Sequence, residues 1–115
     1  MEGHFKTGHI KSLKISFSRA KLQDLFRKEL GFADIGVRDF KNALLRIRDI
    51  KNYPDSLDIY CREQPFSYSK DIIDITFEGW DFIKYEGDAN MRETNYTDEE
   101  FFEDVKKFCD LINQA

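Results

Sequence analysis

Apolar and polar residues alternate over three segments of the chain, residues 12–17, 57–61 and 73–78. Side chains in a strand point alternately to opposite faces, so this pattern predicts strands with one buried and one solvent-facing side. A short extended segment at residues 66–68 adds a further predicted strand. The sequence therefore indicates a sheet of about four strands.

The phase of the alternation changes at Gly79. Apolar residues before it occupy odd positions, whereas Trp80 and Phe82 after it occupy even ones. A shift of one residue at glycine fits either a β-bulge or a tight hairpin turn, and both interpretations stay open here. The extended pattern continues to Gly87. Residues 88–96 are polar and without periodicity, which predicts a loop.

Three other segments repeat apolar residues every three or four positions, as amphipathic helices do. The first follows Ser18 and ends at Gly31, the second covers residues 37–52, and the third begins at Thr97 with Glu100 completing a capping box. The apolar faces of the helices and strands form the predicted core: Leu22, Phe26, Phe40, Leu44, Ile47, Ile75, Phe77, Phe102, Val105 and Phe108.

The predicted element order is β-α-α-β-β-β-α, which favours an α+β fold with one antiparallel sheet covered by three helices. A length of 115 residues with 41 % hydrophobic residues fits a single domain over residues 1–115. No uncharged run approaches the roughly 20 residues of a membrane-spanning helix, so we expect no membrane partner. The first residues lack the apolar stretch of a secretion signal, so we expect a cytoplasmic protein.

The formal net charge of −4 conceals an uneven distribution along the chain. Residues 1–53 hold twelve basic and six acidic residues, whereas residues 54–115 hold six basic and sixteen acidic ones. Such asymmetry is a sign of a charged partner. It is equally compatible with a basic half that packs against an acidic half.

The acidic second half is also rich in Tyr and Trp, which provide rigid contact area at low entropic cost. Acidic groups around such rings steer a basic partner during association. We therefore expect a small non-catalytic domain that binds a basic protein. By analogy of size and charge, the most concrete version is an acidic inhibitor, such as an immunity protein or antitoxin that neutralises a basic toxin or nuclease. The predicted contact residues are Asp74, Glu78, Asp81, Glu93 and Tyr96.

The alternative function is that of a nucleic-acid-associated or regulatory domain. Its contacts would be basic residues of the first two helices, placed along phosphates. An isoelectric point near 5.2 and the absence of interleaved aromatic residues count against it. An ordinary solvated helix face explains the same residues, which are Arg27, Lys28, Lys41, Arg46 and Arg48.

Residues with catalytic or metal-binding chemistry are few. His4 and His9 are the only histidines and have no cysteine nearby, so we expect no metal site. No glycine-rich phosphate loop occurs, so we expect no nucleotide cofactor and no enzyme activity. Cys61 and Cys109 lie on predicted apolar faces, as two inert free thiols or as one disulfide.

Overall fold

A computed structural model describes residues 2–6, 10–63, 71–86 and 91–115; for residues 2–6, 83–86 and 91–94 the description is of the backbone. A 3-10 turn at Val37–Asp39 leads into the second helix. The strands and helices of the described chain are β1 (Glu2–Lys6), β2 (Lys11–Ser18), α1 (Arg19–Leu30), α2 (Phe40–Ile50), β3 (Leu57–Glu63), β4 (Ile72–Gly79), β5 (Phe82–Glu86), β6 (Met91–Thr94) and α3 (Asp98–Asn113).

The central sheet is antiparallel, with the strand order β2-β4-β3. The predicted α+β class is confirmed, but this sheet has three strands rather than about four. With the three helices its elements follow the order β-α-α-β-β-α. The strand predicted at residues 66–68 lies outside the described residues.

A second antiparallel sheet has the order β1-β5-β6. The extended run after Gly79 therefore does not continue the central sheet. Gly79 keeps the regular register with both neighbouring strands, and β4 and β5 do not pair with each other, so Trp80 and Asp81 form a short link between two sheets rather than a β-bulge or a hairpin turn. The prediction of a loop over residues 88–96 is wrong for Met91–Thr94, which pairs with β5 although its sequence shows no apolar alternation.

The helices cover one face of the central sheet, where α1 packs on β2, α2 on β3 and α3 on β4. Rows of paired residues such as Leu13, Phe77 and Ile59 run across the strands on that face. Phe77 and Ile59 are fully buried, together with apolar residues of all three helices. Of the predicted core residues, the structure buries Leu22, Phe26, Phe40, Leu44, Ile47, Ile75, Phe77, Val105 and Phe108.

Phe102 is the exception among the predicted core residues, because its side chain is 56 % exposed. The buried stripe of α3 instead begins at Phe101 and continues through Val105, Phe108 and Ile112. Adjacent helix positions differ by about 100° around the axis, so these two neighbouring rings cannot share one narrow face.

The helix ends follow the sequence closely. The Ser18 hydroxyl accepts a hydrogen bond from the Lys21 amide, and Gly31 ends α1 with a left-handed φ of 82°. The second helix is shorter than predicted, because Asn52 also adopts a positive φ, of 61°. Ile50 in its last turn is exposed.

Both cysteines are free and half-buried, so the disulfide alternative is not realised. Burial raises the pKa of Cys61 to about 12 and that of Cys109 to about 11. Across the described ranges, no helix is both long enough and apolar enough to cross a membrane.

Candidate binding surface on the central sheet

The face of the central sheet opposite the helices is polar, and we call it the outer face. Its residues are exposed or half-buried, in contrast to the apolar rows on the other side. Each of the three strands contributes alternate positions. They are Ser12, Lys14 and Ser16 from β2, Asp74, Thr76 and Glu78 from β4, and Asp58, Tyr60 and Arg62 from β3.

Asp58 and Glu78 are directly opposite each other on adjacent strands of the outer face. Two carboxylates in this position repel each other and destabilise the sheet. Each also accepts a hydrogen bond from an aromatic side chain. The Tyr60 hydroxyl donates to Asp58 Oδ2 at 2.9 Å, and Trp80 Nε1 donates to Glu78 Oε2 at 3.2 Å. The two acids therefore hold two amphipathic rings beside them.

Tyr60 already contacts one cation of the protein. Lys41 Nζ lies 4.2 Å from the centre of its ring, which is close enough for a cation–π interaction. The hydrogen bond to Asp58 raises the pKa of Tyr60 to about 12, with further contributions from burial and from the charges of Asp58 and Glu78. The phenol is therefore a stable hydrogen-bond donor at neutral pH.

Two of the five predicted contact residues lie on this outer face. Asp74 and Glu78 occupy positions of β4 four residues apart, with Thr76 between them. Asp74 Oδ1 accepts a hydrogen bond from the Ser16 hydroxyl at 2.6 Å, which ties it to the neighbouring strand. The structure thus brings Asp74 and Glu78 together on one side of the sheet.

The other three predicted contacts lie elsewhere. Tyr96 is 3 % exposed, and its ring packs edge-on against Phe101 with ring centres 6.1 Å apart. Its hydroxyl donates to Asp104, and its backbone amide donates to Asp81 Oδ1 at 2.6 Å. Tyr96 is therefore a core residue in this structure and offers no surface to a partner. Asp81 stabilises the position of Tyr96 by accepting its backbone amide hydrogen bond. Glu93 belongs to β6, and its side chain lies outside the description.

Asp58 and Tyr60 were absent from the predicted set of contacts. The alternation of residues 57–61 carried the signal that they share one solvent-facing side. Their closeness to Glu78 depends on which strand neighbours β4, and a local pattern does not contain that information.

Three of the five basic residues in the nucleic-acid interpretation make contacts within the molecule. Arg48 donates to the Leu57 carbonyl at 2.8 Å, Arg27 pairs with an aspartate one turn earlier, and Lys41 lies over the Tyr60 ring. The residues of that set that are exposed and form no ion pair in the described chain are Lys28 and Arg46. The basic surface of the helices is therefore not a continuous strip.

In the described ranges, no three His, Cys, Asp or Glu side chains are grouped so that they could hold a metal ion. No family model matches the chain, and comparison with curated proteins and with solved structures found no match either.

Proposed function

We propose that this protein is a non-catalytic domain that binds a basic protein partner on the outer face of its central sheet. The observation that carries the proposal is the pair of directly opposed carboxylates, Asp58 and Glu78, each hydrogen-bonded to an aromatic ring. An arginine or lysine of a partner placed between them relieves their repulsion.

The aromatic groups beside the acids supply the second part of the interaction. A guanidinium stacks on the face of Tyr or Trp and donates hydrogen bonds to a carboxylate in the same plane. Tyr60 and Trp80 are positioned for such contacts by their hydrogen bonds to Asp58 and Glu78. The acids then govern the association rate, and the rings govern how slowly the complex dissociates.

The most concrete form of the proposal is an acidic inhibitor, an immunity protein or antitoxin that neutralises a basic toxin or nuclease in the cytoplasm. A chain of 115 residues with a net charge of −4 supports it. An inhibitor of this kind needs a surface that complements a cationic one and needs no catalytic group. The part of the outer face around Asp58 and Glu78 has that character.

The test replaces the two acids by their amides. Asp58→Asn and Glu78→Gln remove the charge but keep the oxygen that accepts from Tyr60 or Trp80, so the rings keep their positions. The tagged chain captures its partner at low salt, and the purified partner is then used for binding kinetics over a range of salt concentrations. We expect the double variant to associate more slowly and with a weaker dependence on salt.

Asp110→Asn provides the matched control, because Asp110 is an exposed acid of α3 with no ion pair in the described chain. It should associate at the same rate as the wild type. Unchanged kinetics of the double variant would contradict the proposed surface. Retention on duplex DNA that disappears in Arg46→Gln would instead support the nucleic-acid function and overturn the proposal.

A further inference from the structure

The strand β2 forms one border of the central sheet. Within the described chain it pairs with β4 along one edge, and no strand occupies the other edge of its eight residues. Its apolar side chains are also less covered than those of its neighbour. Leu13 and Ile15 are half-buried, whereas the residues opposite them in β4, Phe77 and Ile75, are fully buried. An open edge of this length is a template for another strand.

We propose that the strand added at this edge is β2 of a second copy of the same chain. The two strands run antiparallel about a two-fold axis at Ile15, and together the two central sheets become one sheet of six strands. A two-fold axis requires a surface that complements itself, so the sequence of β2 decides whether the pairing is feasible.

The register centred on Ile15 pairs apolar residues with apolar residues, and polar residues with polar residues, across the new interface. Ile15 lies opposite Ile15 of the second copy, and Leu13 lies opposite Phe17 of that copy, all on the side that faces the helices. On the outer face, Ser12 lies opposite Ser18. Pairs of apolar residues directly opposite each other are the contacts that stabilise a sheet, and here they cover the half-exposed side chains.

The charge of Lys14 also favours this register. It is exposed and forms no ion pair in the described chain. In the proposed register it lies opposite Ser16 of the second copy, and the Ser16 hydroxyl is bonded to Asp74 at 2.6 Å. Strands are about 4.8 Å apart, so the lysine reaches across one strand to the Asp74 carboxylate. The symmetry forms this ion pair twice.

The competing register centred on Lys14 is unfavourable. It places the two Lys14 ammonium groups opposite each other, and like charges in that position destabilise a strand pair. Lys11 does not compensate, because its ammonium group already donates to the Tyr96 carbonyl and pairs with Asp98 at 3.7 Å. Registers centred on Ile15 or on Lys14 overlap the two eight-residue strands most fully, and of these two the charge of Lys14 favours the register centred on Ile15.

The self-association is separate from the proposed binding of a basic protein. The interface uses the edge of β2 together with Asp74 at the start of β4, whereas the proposed binding of a basic protein uses the carboxylate pair Asp58 and Glu78. The dimer would place two outer faces side by side on one continuous sheet.

The test measures the oligomeric state of the full chain by sedimentation velocity over a concentration series. We expect a monomer–dimer equilibrium in the wild type. Lys14→Glu should weaken the dimer at least tenfold, because the new carboxylate approaches Asp74 of the other copy. Lys28→Glu is the matched control, since it makes the same charge change at an exposed lysine of α1 and should leave the equilibrium unchanged.

A rescue variant tests the register itself. In Lys14→Glu combined with Ser16→Lys, each glutamate faces a lysine of the other copy, so dimerisation should return. Circular dichroism verifies that each variant folds, and hydrogen exchange should show β2 amides that become protected as concentration rises. A monomer at every concentration, or a dimer that Lys14→Glu leaves intact, would overturn the proposal; a double variant that stays monomeric would overturn the register.

Discussion

At the scale of single residues, Gly79 at the end of β4 packs directly against two aromatic rings of the core, those of Tyr96 and Phe101. A Cβ at this position would lie 3.0 Å from Phe101 and 3.2 Å from Tyr96. A side chain at this position is therefore accommodated only if one of these rings moves by a few tenths of an ångström. The Tyr96 ring is also held at its other end, because its hydroxyl donates to Asp104.

Gly79→Ala is expected to destabilise the protein by about 1–3 kcal/mol, the typical cost of overpacking a core. Gly36→Ala is the control, because a Cβ there would have no neighbour within 4 Å, and its φ of −77° suits any residue. That control should be neutral or slightly stabilising. Urea denaturation of both variants measures the difference, and equal free energies of unfolding would contradict the close approach.

Thr97 is the residue whose local role was read correctly from sequence, although one bond differs. Its hydroxyl accepts from the Glu100 amide at 3.1 Å, as predicted for an N-cap. The Glu100 carboxylate was expected to bond the backbone amide of Thr97, but it accepts from the Thr97 hydroxyl at 3.0 Å instead.

Thr97→Ala should lower the free energy of unfolding by about 1 kcal/mol, because the cap of α3 is lost. Thr97→Ser keeps the hydroxyl and should retain most of that stability. Thermal melting followed by circular dichroism compares the two. An alanine variant as stable as the serine variant would show that the cap contributes nothing.

At the scale of elements, α3 shows the difference between finding a helix and finding its buried face. The segment contains Phe101 and Phe102 side by side, and either one continues an apolar stripe towards Val105. The structure buries Phe101 and exposes Phe102. The choice depends on contacts with Gly79 and Tyr96, which come from other parts of the chain.

Phe101→Ala is expected to cost about 3–5 kcal/mol, as for a fully buried phenylalanine. Phe102→Ala should change stability by about 0.5 kcal/mol or less, as for a surface position. Chemical denaturation of the two neighbouring variants tests the assignment of the helix face directly. A larger loss in the Phe102 variant would reverse it.

The elements that could be predicted are those whose local pattern agrees with their environment. Alternation identified β2, β3 and β4, and caps at Ser18 and Thr97 identified where α1 and α3 begin. The strand β6 could not be predicted, because Met91–Thr94 has no alternation and is placed by pairing with β5. Tyr96 was misjudged for a similar reason: polar neighbours suggested a surface residue, and only the fold supplies the partners that bury it.

At the scale of the whole molecule, the uneven charge distribution is partly neutralised within the fold. Arg19 of the basic half pairs with Glu63 of the acidic half at 3.0 Å, and Arg48 lies 3.7 Å from Asp55. These pairs support the interpretation that the basic and acidic halves pack against each other, whereas the charged partner stays a prediction. What the sequence could not supply is the placement of Asp58 against Glu78, which requires the strand order.

Alkaline pH should destabilise the protein as a whole. Burial, followed by a hydrogen bond to Asp104, raises the pKa of Tyr96 above its usual 10.0, and the half-buried thiols have raised pKa values as well. These groups ionise more easily in the unfolded chain. The stability they provide is complete below their unfolded pKa values, about 9–10, and is lost as the pH rises towards the folded values.

Urea denaturation at about pH 8 and about pH 10.5 measures this loss. Tyr96→Phe should be less stable than the wild type at the lower pH, because it lacks the bond to Asp104. The difference in free energy of unfolding between wild type and variant should be smaller at the higher pH, because only the wild type loses the stability that the neutral Tyr96 phenol provides. A gap that widens with pH would contradict the raised pKa of Tyr96.

Trp80 is the single tryptophan of the chain, and its indole N–H is bonded to Glu78 beside the outer face. Its ultraviolet emission therefore reports on one place in the molecule without any attached dye. A ligand that covers this place removes water from the indole and shifts the emission maximum to shorter wavelength. Association elsewhere, including at the edge of β2, leaves the spectrum unchanged, so one optical titration distinguishes the two kinds of complex.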